Sequence, residues 1–459
     1  MYQINFHTPK HVHFIGIGGI SMSGLAEILL KEGFTISGSD ARESQLTRHL
    51  ETLGARIFYE QKAENILPGT DVVVYTAAIH PDNPEYAAAK KADLPMLARA
   101  ELLGQIMRNY QTAIAVAGTH GKTTTTSMLS TILLKAEKDP TITVGGILPQ
   151  ISGNIRVGHS DTFLTEACEY TNSFLSFYPT TGIILNIEAD HMDFFKDLSQ
   201  IRDSFHRFAA LLPADGLLVL DSSIPKPEEI TKDILAHVVT CGLDGTEDYT
   251  AKGITYDEKG CASFLLYHQG ETLGPVSLCV PGVHNISNAL AALSVALELG
   301  IGFDSAVSGL LDFHGTDRRF QYKGSVDGVT IIDDYAHHPT EIKATLTAAR
   351  NYPHRELWCV FQPHTYTRTK AFLPDFAKAL SLADHVVLTD IYAAREVNTI
   401  GITSLDLKAE LEKLGKHCDY FSTFEEIEKF LLKKCIHGDL LITMGAGDVL
   451  KIGENLLSH

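Results

Sequence analysis

Thr112-Ala-Ile-Ala-Val-Ala117 runs directly into Gly118-Thr-His-Gly-Lys-Thr-Thr-Thr-Thr126. The first six residues are short and apolar, which predicts a buried strand. After the glycines, Met128, Leu129, Ile132, Leu133 and Ala136 recur at helical spacing, so a helix follows. A strand that turns through glycines into a helix surrounds phosphate oxygens with backbone N–H groups and the positive end of the helix. Within Gly118, Thr119, His120, Gly121, Lys122, Thr123 and Thr124, Lys122 is placed to reach terminal phosphates. Thr123 is placed to put its hydroxyl on Mg²⁺. The pattern G-x-x-x-x-G-K-[ST] is not met, because Val116 stands at the first glycine position. The loop is the shorter G-x-x-G-K-T. A tight turn with an incidental lysine explains less, since strand, glycines, Lys-Thr and helix agree.

The same unit, apolar strand to glycine loop to helix, is found on either side. His11-Val-His-Phe-Ile-Gly-Ile-Gly-Gly19 precedes Met22, Leu25, Ala26, Leu29 and Leu30, with Gly33 as a helix stop. Strands are predicted at 34–40 and 71–76. Beyond the phosphate loop they are predicted at 162–165, 182–185 and 217–220, with a helix over 287–299 closed by Gly300. After Arg318-Arg319 the pattern restarts, with strands at 329–332, 356–361, 385–389 and 440–443 and helices between them. This repetition predicts an α/β protein of three domains with mostly parallel sheets. The expected units are a Rossmann-like domain over 1–110, a central P-loop ATPase domain over 111–320, and a Rossmann-like domain over 321–459.

The 459 residues are 44% hydrophobic and 20% charged, enough to bury real cores. The formal charge of -18 disfavours nucleic acid and anionic membranes, so a phosphate ligand needs a local positive site. No apolar run approaches the roughly 18–20 residues of a membrane span. The start, Met1 to Lys10, lacks the layout of a signal peptide. Seven scattered cysteines without a C-x-x-C pair suit reduced thiols. A cytoplasmic protein is expected.

A second cluster narrows the chemistry. Glu166-Ala-Cys-Glu169 and Asn186-Ile-Glu-Ala-Asp-His191-Met-Asp193 each follow a predicted strand, at the carboxyl edge where open α/β sheets bind ligands. Carboxylates are hard ligands suited to Mg²⁺. On these grounds alone His191 serves equally as a ligand or as a satisfied core histidine.

Taken with these, further motifs resemble the Mur ligase family. They are His13 to Gly24, Ser37-Gly-Ser-Asp40, Pro281-Gly-Val-His-Asn-Ile-Ser-Asn288, Asp317-Arg-Arg-Phe320, Asp333-Asp-Tyr-Ala-His-His-Pro339 and Phe361-Gln-Pro-His-Thr-Tyr-Thr-Arg368. The resemblance spans essentially the whole chain. It implies domains for a UDP-sugar, ATP and an amino acid, in that order. It further implies ATP-dependent ligation of L-alanine to the carboxylate of UDP-N-acetylmuramate through an acyl phosphate, in building peptidoglycan precursors. By the same resemblance Thr123 and Glu166 hold one Mg²⁺ and His191 a second, while Lys122 and Arg319 neutralise charge. His284, Asn285 and Asn288 are implied near the adenine. Gly16, Gly18 and Gly19 are implied at the UDP diphosphate, with Ser39 and Asp40 near the uridine and His80 on the same rim. Tyr335, His337 and Arg368 are implied at the alanine. The asparagines also suit helix capping, and His337 and His338 also suit a cap for a helix near Thr340.

Some positions depart from the family. Ser21 stands where members usually carry glycine, and Cys168 and Asn172 replace two carboxylates. Thr365 replaces a frequent arginine, leaving one contact to the alanine carboxylate absent or supplied elsewhere. Asp203-Ser-Phe-His-Arg207 has no lysine, so no carbamylated lysine is expected. Three other readings fit less well. A dinucleotide oxidoreductase leaves Gly118–Thr126 unexplained and lacks the third fingerprint glycine. A non-catalytic nucleotide switch does not need Lys122, Thr123, Glu166 and His191 together. A recycling ligase that joins a preformed tripeptide to the same UDP-sugar shares most motifs, but Phe361-Gln-Pro-His suits the alanine-adding pattern better.

Overall fold

The structure, a computed structural model, describes residues 2–76, 78–394 and 396–458. Three sheets follow one another along the chain. The first holds β1 (His11–Ile15), β2 (Thr35–Ser39), β3 (Arg56–Phe58), β4 (Val72–Tyr75) and β5 (Met96–Ala98). All are parallel, in the order β3-β2-β1-β4-β5. The order reverses beside β1, opening a crevice at the strands' carboxyl ends.

The central sheet contains β6 (Thr112–Ala117), β7 (Thr141–Leu148), β8 (Gly153–Arg156), β9 (Thr162–Ala167), β10 (Thr181–Ile184), β11 (Leu217–Asp221) and β12 (His237–Gly242). It continues through β13 (Tyr249–Tyr256), β14 (Cys261–His268) and β15 (Glu271–Pro281). Its order is β15-β14-β13-β12-β11-β10-β6-β9-β7-β8, parallel except at the β13-β14-β15 arm and at β8. Sequence patterning did not predict that arm. The third sheet has β16 (Gln321–Val326), β17 (Val329–Asp334), β18 (Leu357–Phe361), β19 (His385–Leu388), β20 (Cys418–Tyr420) and β21 (Leu440–Met444). Its order is β16-β17-β21-β18-β19-β20, and only β16 is antiparallel.

Period-two alternation builds the central core. Ala113, Ala115 and Ala117 of β6 pack on one face, and Ile114 and Val116 on the other. The small face lets the first domain close in, and its core merges with that of the central sheet through Leu102, Ile106, Tyr110 and Phe163. At Gly104 an added Cβ would come within 1.9 Å of Ser176 O, so only glycine allows that approach. The helix stops behave as predicted, since Gly33 and Gly300 have φ of 83° and 77°. One helix starts earlier than expected, at Val283 rather than 287. Its first turn is exposed at Val283, so the apolar period becomes visible only from Ile286. None of the seven cysteines is paired.

Candidate active site

The phosphate loop leaves β6 and turns at two glycines into the helix Lys122–Lys135. Gly121 has φ of 85°, and a Cβ there would meet Asn288 Oδ1 at 2.5 Å. The loop is tied to Asn186, two residues past β10. His120 N donates to Asn186 Oδ1 at 2.7 Å, and Asn186 Nδ2 donates to His120 O at 3.0 Å. Gly121 caps the helix without a side-chain bond, which leaves first-turn N–H groups free for an anion. Lys122 folds back on its own loop. Its Nζ donates to Glu169 Oε2 at 3.0 Å, to Thr119 O at 3.1 Å and to Gly118 O. Burial opposes its charge, but the Glu169 carboxylate outweighs burial and holds Lys122 above the usual ammonium range.

Beside it lies a set of hard oxygen donors. Thr123 Oγ1 donates to Glu166 Oε2 at 3.1 Å. Gly145 N–H supports the other Glu166 oxygen, and a Cβ at Gly145 would come within 2.9 Å of both. His191 Nε2 lies 3.9 Å from Glu169 Oε1 and 3.8 Å from Asp190 Oδ2. Glu169 Oε1 is buried and has no hydrogen-bond partner among the described residues. The His191 ring stacks on Tyr170 at 4.5 Å, and its φ of 53° is a strained backbone state. A buried orphan carboxylate oxygen among Thr, Glu and His donors fits a divalent cation such as Mg²⁺.

A cavity between the central and third domains is lined by Leu185, His284, Asn288, Phe313, Arg319 and Glu341. The asparagines do not cap the helix Val283–Glu298, whose N-cap is Gly282. Instead Asn285 Nδ2 donates to Pro281 O at 2.7 Å, and Asn288 bridges Asn285 and Thr125. Desolvation against the cavity wall, aided by Arg319, lowers the pKa of His284, and Glu341 opposes it. Arg319 Nη1 lies 3.9 Å from Glu341 Oε1. Tyr335 sits under both arginines, 4.8 Å from Arg318 and 5.3 Å from Arg319. It therefore supports Arg319 rather than lining the cleft around Arg368.

The third domain docks on the phosphate loop through the start of the helix Pro339–Arg350. His338 is its cap, with Thr340 N donating to His338 Nδ1 at 3.3 Å. His337 plays no capping part. Its Nδ1 meets Tyr335 O at 3.0 Å, and burial holds its pKa at about 4. Glu341 lies 3.2 Å from His120 Nδ1, and Glu188 lies 3.6 Å from His120 Nε2. Burial opposes charge on His120, but Glu188 and Glu341 outweigh it and raise its pKa from the ordinary 6.5 to about 9. A raised pKa contributes stability fully present below 6.5 and lost as pH rises through about 9. Docking of the third domain is therefore expected to loosen between pH 7 and about 9.5, read by limited proteolysis. A His120→Gln variant with the same pH dependence would remove His120 as the cause.

The second cleft is lined by Asp190, His191, His364, Thr365, Arg368 and Phe372. Arg368 donates to Asp190 Oδ1 from Nη2 at 3.0 Å and from Nε at 3.2 Å. Its Nη1 faces His364 Nδ1 at 3.1 Å. Burial works against the charge of Asp190, yet Arg368 and His191 hold its carboxyl well below the usual range. Thr365 adopts φ of 65° at the start of the short helix Tyr366–Ala371, which carries Arg368. Sequence reasoning missed Asp190, Glu341 and Glu169 as partners. Glu341 had a legible signal, because His338-Pro-Thr-Glu341 has capping-box spacing.

In the first domain the glycine loop is held from below. Gly16 N and Ile17 N donate to Ser39 O at 2.9 Å, and Gly18 N donates to Asp40 Oδ2 at 2.9 Å. Ser39 is fully buried, and its hydroxyl donates to Glu85 Oε2 at 2.6 Å. Its side chain thus points inward, whereas Asp40 braces Gly18. Gly19 starts the helix Ile20–Lys31, and His80 is exposed on the rim after β4. Ala77, in the same stretch as His80, lies outside the described residues.

Comparison with known proteins follows the three sheets. Residues 11–111 match the model described as Mur ligase family, catalytic domain. Residues 116–296 match the Mur ligase middle domain, and 318–447 the Mur ligase, glutamate ligase domain. A UDP-N-acetylmuramate–L-alanine ligase of Agathobacter rectalis is 62% identical over 457 residues, covering 100% of both chains. The solved UDP-N-acetylmuramate-alanine ligase of Thermotoga maritima superposes with a TM-score of 0.79 at 29% identity, over 98% of each chain. A murein peptide ligase from Psychrobacter arcticus gives 0.70 at 26% identity, again over 98% of each. With a family model on each of its three sheets and a relative 62% identical along its whole length, this chain belongs to the Mur ligase family.

Proposed function

We propose that the protein uses ATP to join L-alanine to the carboxylate of UDP-N-acetylmuramate, releasing ADP and phosphate, in cytoplasmic synthesis of peptidoglycan precursors. The observation that carries this is convergence. Contacts run from Lys122 of the phosphate loop to Glu169, on to His191 and Asp190, and so to Arg368, with Thr123 and Glu166 paired beside Lys122, in a chain 62% identical to a ligase of that name. We divide the chain into a UDP-sugar domain over 1–110, an ATP domain over 111–320 and an amino-acid domain over 321–459.

The muramyl carboxylate is a poor electrophile because its leaving group would be oxide. Its oxygen attacks the γ-phosphorus, and ADP leaves. The alanine nitrogen then attacks the acyl carbon, and phosphate leaves. Both steps bring anions together, so charge neutralisation and positioning are the enzyme's main tasks. Lys122 swings from Glu169 to the terminal phosphates, and Arg319 lines the cavity beside the phosphate loop's Gly121 and Thr124. Thr123, Glu166 and His191 would hold Mg²⁺, which supplies charge neutralisation on phosphate oxygens. Arg368 orients the alanine by its α-carboxylate.

Phosphate release with UDP-N-acetylmuramate, measured across the twenty amino acids and a preformed tripeptide, tests the reading. L-Alanine is expected to give the highest rate. Preference for the tripeptide would make it the recycling ligase instead. Glu166→Gln keeps the shape but loses the charge, so the Mg²⁺ midpoint at fixed ATP is expected to rise. An unchanged midpoint and rate would take Glu166 out of the site.

A further inference from the structure

His120, Glu188 and His338 converge where the third domain meets the phosphate loop. One donor atom from each lies within 4.8 Å of the other two. His120 and Glu188 belong to the central domain, on the phosphate loop and past β10, whereas His338 caps the third-domain helix Pro339–Arg350. None of the three is among the Thr123, Glu166 and His191 donors described for Mg²⁺.

The surroundings of His120 suit a metal-binding imidazole. Its Nδ1 faces Glu341 Oε1 at 3.2 Å, and such a carboxylate fixes the ring and leaves Nε2 for a ligand bond. Nε2 is buried and has no hydrogen-bond partner among the described residues. It faces Glu188 Oε2, 3.6 Å away. A tetrahedral ion with bonds of about 2.0–2.2 Å holds its donors about 3.3–3.5 Å apart. This pair therefore stands close to the required spacing. Glu188 and Glu341 favour a proton on His120, and the same two charges favour a cation in its place. The His338 ring lies 4.7 Å from that of His120. Its nitrogens meet Ala189 O at 3.2 Å and Thr340 N–H at 3.3 Å, both long contacts, so a ligand bond displaces one at small cost. The Glu188 side chain is 38% exposed, which gives an ion a path from solvent. Two imidazoles and a carboxylate suit a borderline cation such as Zn²⁺, whereas Mg²⁺ prefers oxygen donors. We infer that His120, Glu188 and His338 form a site for a borderline transition-metal cation, separate from the Mg²⁺ donors, and that the bound ion pins the third domain to the phosphate loop.

Calorimetric titration of the full chain with Zn²⁺ in excess Mg²⁺ tests the site, and limited proteolysis tests the pinning. One Zn²⁺ per chain is expected to bind, and cleavage between the central and third domains is expected to slow several-fold. Glu188→Gln keeps the shape of a ligand but loses its charge, and is expected to weaken Zn²⁺ by about 100-fold or more. Glu341→Gln is expected to weaken it by about 10- to 100-fold, because the imidazole loses its brace. That variant keeps the test open if Glu188→Gln fails to fold. His191→Ala, which alters the Mg²⁺ donors, is expected to leave the Zn²⁺ affinity unchanged. Zn²⁺ affinity lost with His191→Ala, or unchanged in either folded glutamine variant, overturns the site, as does a wild type that binds no Zn²⁺. Binding with unaltered cleavage overturns the pinning.

Discussion

Lys122→Ala is expected to lower turnover by about 10²-fold or more at saturating ATP and Mg²⁺, because a positioned charge on the transferring phosphate is lost. The loop offers no replacement at that point. The same change leaves Glu169 buried without its partner, since the side chains of Lys122 and Glu169 are only 15% and 3% exposed. Removing one member of a buried pair costs roughly 3–5 kcal/mol, so the melting temperature is expected to fall as well. The two effects separate in Lys122→Met with Glu169→Gln, where the uncompensated charge is gone. That double variant is expected to regain stability and remain inactive. Near-normal turnover in either folded variant would sink the phosphate-loop assignment.

The phosphate loop was legible because its signals are local. Strand, glycines, lysine and helix occupy 112–135 without help from the rest of the chain. The β13–β15 arm was not, because its strands alternate only partly and bury against a helix far along the chain, as Tyr249 does against Glu298. Site partners follow the same division. Asn186, Glu188 and Asp190 lie in a motif visible in sequence, but their partners His120, Thr340 and Arg368 come from other elements. Only the folded chain brings a third-domain arginine to a central-domain aspartate 178 residues away. Ser39 shows the limit in reverse. A motif match suggested a ligand contact, whereas the buried Glu85, with no sequence signal of its own, draws the hydroxyl inward. The structure also gives Asp40 a job that spacing alone did not reveal, as the acceptor for Gly18 N–H.

Arg368→Lys is expected to raise the alanine KM by about 10- to 150-fold and the ATP KM far less, from loss of roughly 1.5–3 kcal/mol of charge-assisted bonding. The geometry explains why lysine does not substitute. One edge of the guanidinium, Nε and Nη2, is spent on Asp190, and Nη1 turns toward His364 and the cleft. Burial and Arg368 lower the pKa of His364 to about 4, so its neutral Nδ1 accepts that N–H. A substrate carboxylate is expected to displace His364 without breaking the Asp190 bond. A single ammonium cannot serve both partners at once. L-Alaninamide, which has no carboxylate, is expected to be a poor substrate of the wild type and nearly insensitive to the change. Asp190→Asn is expected to raise the alanine KM by a smaller factor, because the fork stays charged but loses its brace. Combined with Arg368→Lys it is expected to add little, since both act on one unit. Equal losses for ATP and alanine, or an amide as good as alanine, would mean that Arg368 acts as a strut for Asp190 and His191. The carboxylate clamp would then have to be sought elsewhere in the cleft, where Lys370 is a further basic side chain among the described residues.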